Sequence, residues 1–152
     1  MNFILNNVNL HHSQTNPIEK SRNICERGMV CRMNTDKHAY KKLGDIHVLV
    51  NNAGIQVDKP SEQVTGEDLD RVLDVNLKGA FYCSRAAIRH FLDRDIRGVI
   101  INISSVHQKI PKPGFISYAM SKGGMRNLTE TLALEYANRK IRVNAIGPGA
   151  TI

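Results

Sequence analysis

Apolar and polar positions follow two different rhythms along this chain, and the rhythm changes near residues 41–44. Residues 1 to about 37 are polar and irregular. Asn6-Asn7, His11-His12 and Asn16-Pro17 read as turn or loop chemistry, and the only apolar pieces are short ones at residues 3–5 and 29–31. No strand is assigned there. From Asp45 onward, short β-branched runs alternate with longer amphipathic stretches, which is the rhythm of βαβ units on a parallel sheet. The runs at 46–50, 99–103 and 141–146 predict three buried strands. Thr65, with Asp68 three residues later, predicts a capped helix start, and Leu69, Val72, Leu73 and Leu77 keep helical spacing after it. A second helical stretch covers 79–94, and a third covers 117–136 through Met120, Leu128, Leu132 and Leu134.

Three strands joined by helical crossovers define an α/β chain with half of a doubly wound parallel sheet, and such sheets bind ligands at the carboxyl ends of their strands. The informative residues fall at those ends. Asn51-Asn52-Ala53-Gly54 follows the first strand, Ser104-Ser105 the second and Gly147-Pro148-Gly149 the third. The first of these strands would be an unpaired apolar edge unless something covered it, and residues 2–8 are expected to do so.

Composition narrows the function classes. A chain of 152 residues with 41% hydrophobic side chains buries one core, divided here into a divergent segment at 1–40 and the patterned region at 41–152. No apolar run approaches the roughly 18 residues that cross a bilayer, and no signal peptide is evident, so a cytoplasmic address without membrane contact is expected. Residues 1–45 carry 7 basic and 4 acidic groups, net +3, and 46–152 carry 14 and 10, net +4. That even spread, with aromatics at only 5%, argues against a nucleic-acid partner. Cys25, Cys31 and Cys83 have no paired spacing, and His11-His12 has no companion ligands, so neither a disulfide framework nor a metal site is expected.

Tyr118 and Lys122 are four apart in a predicted helix and so share a face. A phenol, with a reference pKa near 10, works as an acid/base near neutrality only if its anion is stabilised by about 4 kcal/mol. One ammonium about 4 Å away supplies that much at an effective dielectric near 20. Tyr136 and Lys140 repeat the spacing, but they lie at the helix end away from the ligand-binding edge, and they read as structural. Company separates the pairs: Ser105 stands thirteen residues before Tyr118, where Gly123 stands before Tyr136. Each piece has an ordinary alternative. A Ser after a strand is commonly a cap, Asn52 and Asn76 could be satisfied core amides, and Gly-Pro-Gly is commonly a turn.

The ordered set of Asn51-Asn52-Ala53-Gly54, Asn76 within Asp74-Val75-Asn76-Leu77-Lys78-Gly79, Ser105, Tyr118, Lys122 and Pro148-Gly149 resembles the short-chain dehydrogenase/reductases. Ser104-Ser105-Val106-His107 and Ile146-Gly147-Pro148-Gly149-Ala150 look like the glucose 1-dehydrogenase group in particular. The resemblance covers roughly 41–152 and implies a partial Rossmann-type fold, NAD or NADP as cofactor, and an alcohol or sugar such as glucose as substrate. It implies Tyr118 as general acid/base, Lys122 as its electrostatic partner and holder of the nicotinamide ribose, and Ser105 as hydrogen-bond donor to the substrate oxygen. Asn76 would hold a water in the proton path. Asn51, Ala53, Gly54, Pro148 and Gly149 would border the cofactor; His107 lies within the subgroup-like stretch, where a surface or capping role is expected ahead of a place near the substrate mouth.

The sequence departs from that family at both ends. No G-x-x-x-G-x-G turn is present to cradle a pyrophosphate, no residue selecting NAD over NADP can be aligned, and the substrate-covering segment beyond 152 has no counterpart. Two functions follow: a working oxidoreductase, or a weakly active or inactive relative whose helices at 79–94 and 117–136 pair with another subunit in a homo-oligomer.

Overall fold

The β-branched runs extend as expected and pair in parallel. In the computed structural model, which describes residues 3–6 and 44–149, β2 is Val48–Asn51, β3 is Val99–Ile103 and β4 is Arg142–Ile146. Val48 pairs with Val99, and Val99 with Arg142. The run expected at 46–50 is shifted: Ile46 is buried beneath the strand, and its N–H donates to His90 Nε2 at 3.2 Å. A fourth strand, β1 at Phe3–Asn6, pairs in parallel with β2 from Phe3–Val48 to Asn6–Asn51, so the sheet order is β1-β2-β3-β4. The expected cover for the β2 edge is thus present at residues 3–6, while positions 2, 7 and 8 lie outside the described residues.

The chain between β2 and β3 forms one continuous helical run rather than two helices. Helix α1, Gly66–Leu73, starts at a capping box in which Asp68 N–H donates to Thr65 Oγ1 (3.1 Å) and Thr65 N–H donates to Asp68 Oδ2 (3.2 Å). A wide π turn, Asp74–Lys78, leads into α2, Gly79–Asp93. The extra residue in that turn puts Asn76 fully inside, and such turns recur at functional sites. Helix α3, Ile116–Tyr136, connects β3 to β4.

Strand alternation puts Leu49, Ile100 and Val143 on one face, where Ala87, Ile88 and Phe91 of α2 and Leu132 of α3 complete the core. The next residues on that face, Asn51 and Asn102, are polar. Asn51 Nδ2 donates to Asn102 Oδ1 (2.8 Å) and Ser84 Oγ (3.0 Å), Asn102 Nδ2 donates to Thr129 Oγ1 (2.9 Å), and Thr129 Oγ1 donates to Met125 O (2.7 Å). This buried chain of hydrogen bonds joins both strands to both helices at the level where the sheet meets its ligand-binding edge. Lys140 adopts a left-handed backbone after the last turn of α3 and Tyr136 packs on the core, so that pair does not share a helical face. No helix among the described residues is long and apolar enough to cross a membrane.

Candidate active site

Tyr118 and Lys122 lie in the first two turns of α3, and the ammonium stands 5.5 Å from the centroid of the phenol ring. Lys122 is 3% exposed and donates from Nζ to Ile103 O, the last carbonyl of β3, at 2.7 Å. One strong acceptor does not replace a hydration shell, and burial lowers the pKa of Lys122 from 10.5 to about 8. On its other side Lys122 meets Gly54: a β-carbon there would stand 3.7 Å from Nζ and 3.6 Å from Asn76 Oδ1. A side chain larger than a methyl would fill the space between the loop after β2 and the ammonium.

Ser105 reaches the same region from the end of β3. It caps a short 3-10 turn at Val106–Gln108, where its Oγ accepts from His107 N–H at 3.2 Å. A hydroxyl has one proton and two lone pairs, so the cap leaves its proton to donate. Two neighbouring contacts hold the serine loop to the end of β4: Ser104 N–H donates to Ile146 O (2.7 Å) and Val106 N–H to Pro148 O (3.0 Å). Gly147 allows this approach, because a β-carbon there would fall 2.8 Å from Gln108 Nε2 and 3.4 Å from Ser105 O. Gly149 lies against Val106, whose Cγ1 would be 3.6 Å from an added β-carbon.

His107 links Ser105 to Tyr118. Its backbone holds the serine, while its ring stands 6.3 Å from the Tyr118 ring and 5.4 Å from the Phe115 ring. Phe115 meets Tyr118 edge-on at 6.2 Å and carries Lys112 Nζ 3.8 Å above its face. The sequence reading missed Phe115, whose signal was an aromatic three residues before Tyr118 at the start of the helix.

Other expected positions differ in how they contribute. Asn76 donates from Nδ2 to Ile55 O (2.9 Å) and to Ser121 Oγ (3.0 Å), and its Oδ1 accepts from Ile55 N–H (2.8 Å). Ser121 Oγ in turn donates to Tyr118 O at 2.7 Å. The amide therefore ties the loop carrying Gly54 to the helix turn carrying Tyr118 and Lys122, and a water held by Asn76 would have to donate to an oxygen. Asn51 is 2% exposed with its side chain in the core network, because strand alternation puts it on the face of Leu49; it can border a ligand only through its backbone. Asn52, for which a core amide was the ordinary alternative, is exposed, and Ala53 is buried. Among the described residues no three His, Cys, Asp or Glu gather to hold a metal ion, and His11-His12 lies outside them.

Four parallel strands in the order β1-β2-β3-β4 with helices connecting them define a Rossmann-type α/β fold, and Ser105, Tyr118 and Lys122 stand near the carboxyl ends of its strands. The sequence profile of the short chain dehydrogenase family matches residues 32–152, and the chain belongs to that family. It is 60% identical over 107 residues to 3beta-hydroxysteroid dehydrogenase 1 of Eggerthella lenta, covering 70% of this chain and 41% of that relative. It is 50% identical over 112 residues to glucose 1-dehydrogenase of Gluconobacter oxydans, covering 74% of this chain and 42% of that one. The chain thus spans less than half the length of these relatives. Among solved structures, 4-hydroxyisoleucine dehydrogenase complexed with NADH and succinate superimposes with a TM-score of 0.74 at 32% identity, over 77% of this chain and 56% of that one.

Proposed function

We propose that this chain carries the catalytic core of a nicotinamide-dependent oxidoreductase that interconverts a secondary alcohol and its carbonyl. The observation that carries the reading is Lys122: a buried ammonium fixed by Ile103 O, facing the Tyr118 ring on one side and the bare Cα of Gly54 on the other. The described residues fit the nicotinamide-ribose end of NAD or NADP, because Lys122, which donates to Ile103 O and Met125 Sδ, offers a third N–H beside a gap that a side chain at position 54 would fill. Bound there, a nicotinamide ring supplies the hydride acceptor or donor.

Tyr118 takes the proton of the substrate hydroxyl at its phenolic oxygen, and returns it in the reverse direction. Lys122 stabilises the phenolate that accepts this proton and that the reverse transfer regenerates, and would hold the ribose hydroxyls of a bound cofactor. Ser105 donates its uncommitted proton to the substrate oxygen, orienting it toward Tyr118. Asn76 and Ser121 keep Tyr118, Lys122 and Gly54 in register. Ala53, Gly54, Pro148 and Gly149 would border a bound cofactor, with Asn51 contributing backbone alone.

A ring hydroxyl is the substrate group. Glucose is the first reading, supported by the glucose 1-dehydrogenase likeness at 50% identity. A hydroxysteroid is the second, supported by the relative at 60% identity and by the apolar company of Tyr118: the His107 and Phe115 rings beside it, and exposed Ile110, whose carbonyl meets the His107 ring. The test is reduced-nicotinamide formation by the chain with glucose or a 3β-hydroxysteroid and either cofactor. Formation in at least one pairing is expected, and none in any pairing contradicts the proposal. In that event, the role left is assembly with a second copy through α2 and α3, whose Phe81 (39% exposed) and Leu134 (82% exposed) face outward.

A further inference from the structure

Strand β1 occupies a place with a particular chemistry. In doubly wound sheets of order 3-2-1-4-5-6, the first strand lies beside the fourth, and its turn into the following helix carries the glycines that let backbone N–H groups reach a pyrophosphate. Here β1 pairs in parallel with β2, and β3 and β4 follow outward, so β1 stands where that first strand stands. The chain leaves β1 as Asn7-Val8-Asn9-Leu10-His11-His12, and the first glycine after Asn6 is Gly28. Every residue from Asn7 to His12 carries a β-carbon, and Val8 is β-branched. The strand is in place, but the residues after it do not fit a pyrophosphate cradle.

The opposite half of the site is built from described residues. Gly54, Lys122 and Tyr118 stand together at the ends of β2 and β3, and the Pro148-Gly149 segment is pinned to the serine loop at the end of β4. These groups suit a nicotinamide, its ribose and the reacting oxygen.

We propose that this chain holds a nicotinamide cofactor by its nicotinamide nucleotide half alone, and therefore takes nicotinamide mononucleotide about as well as the dinucleotide. This rests on the nicotinamide site described under the proposed function. The test is calorimetric titration of the whole chain with oxidised nicotinamide mononucleotide, with NAD and with ADP-ribose. Dissociation constants for the first two within about threefold of each other are expected, with no displacement of either by ADP-ribose. Lys122→Met and, as an independent loop variant, Gly54→Val should weaken both by about tenfold or more. NAD binding about thirtyfold tighter than the mononucleotide, or displacement by ADP-ribose, would overturn this inference and leave the nicotinamide site standing. Equal binding that neither variant disturbs would place the ligand elsewhere and overturn it as well. Binding of neither nicotinamide ligand would remove the nicotinamide site and this inference together.

Discussion

Lys122 keeps a charge where charge is disfavoured, and that has a consequence for stability. Its pKa falls from 10.5 to about 8 on burial, so between those values the unfolded chain binds a proton that the folded chain has released. Stability therefore rises with pH across that window; below about 8 the folded state bears the full desolvation penalty, about 3 kcal/mol in all. Urea unfolding from pH 8 to pH 10.5 should show this rise in the native chain and lose it in Lys122→Met. Equal slopes in the two proteins would mean that the ammonium is solvated. His90 pushes in the same direction at lower pH: burial lowers its pKa below 6.5, so its contribution is present above 6.5 and lost as pH falls. Of these residues, Tyr118 and Lys122 were legible from helical spacing and from Ser105 upstream. The orientation of Asn51 was not, because a residue at a strand end belongs to the core face or the ligand edge according to register, and register was unknown.

Close packing between α2 and β3 depends on a missing side chain. A β-carbon at Gly98 would lie 2.1 to 2.5 Å from ring atoms of Phe91, which is 1% exposed and enclosed by core residues. Gly98→Ala should lower the free energy of urea unfolding by about 1–3 kcal/mol through overpacking, and an unchanged midpoint would show that the ring can move aside. Elements with strong local signals were read close to their observed bounds: the capping box at Thr65, the β3 run and the long helix α3. Two were not. Strand β1 has only a short apolar run, and what makes it a strand is the β2 edge beside it, more than forty positions away in sequence. The π turn at Asp74–Lys78 is helical by every local measure, and its extra residue is matched by the hydrogen bonds that Asn76 makes to Ile55 and Ser121, a tertiary cause with no local trace.

Across the whole molecule, four parallel strands bring their carboxyl ends to one edge, and residues from four separate segments meet there. The loop after β2 contributes Gly54, the end of β3 contributes Ser105 and Ile103 O, the start of α3 contributes Tyr118 and Lys122, and the end of β4 contributes Pro148 and Gly149. Bracing between these segments is dense: Asn76 and Ser121 on one side, Ser104 and Val106 to the β4 end on the other. The central claim is that Tyr118, with Lys122 beside it, moves the proton of a substrate hydroxyl, and the most direct measurement is nicotinamide-linked alcohol oxidation by the native chain and by Tyr118→Phe. Removing one hydroxyl should lower kcat/KM by about 10²- to 10⁴-fold while nicotinamide binding stays within about threefold of the native value. Turnover by the phenylalanine variant equal to that of the native chain would show that another group moves the proton.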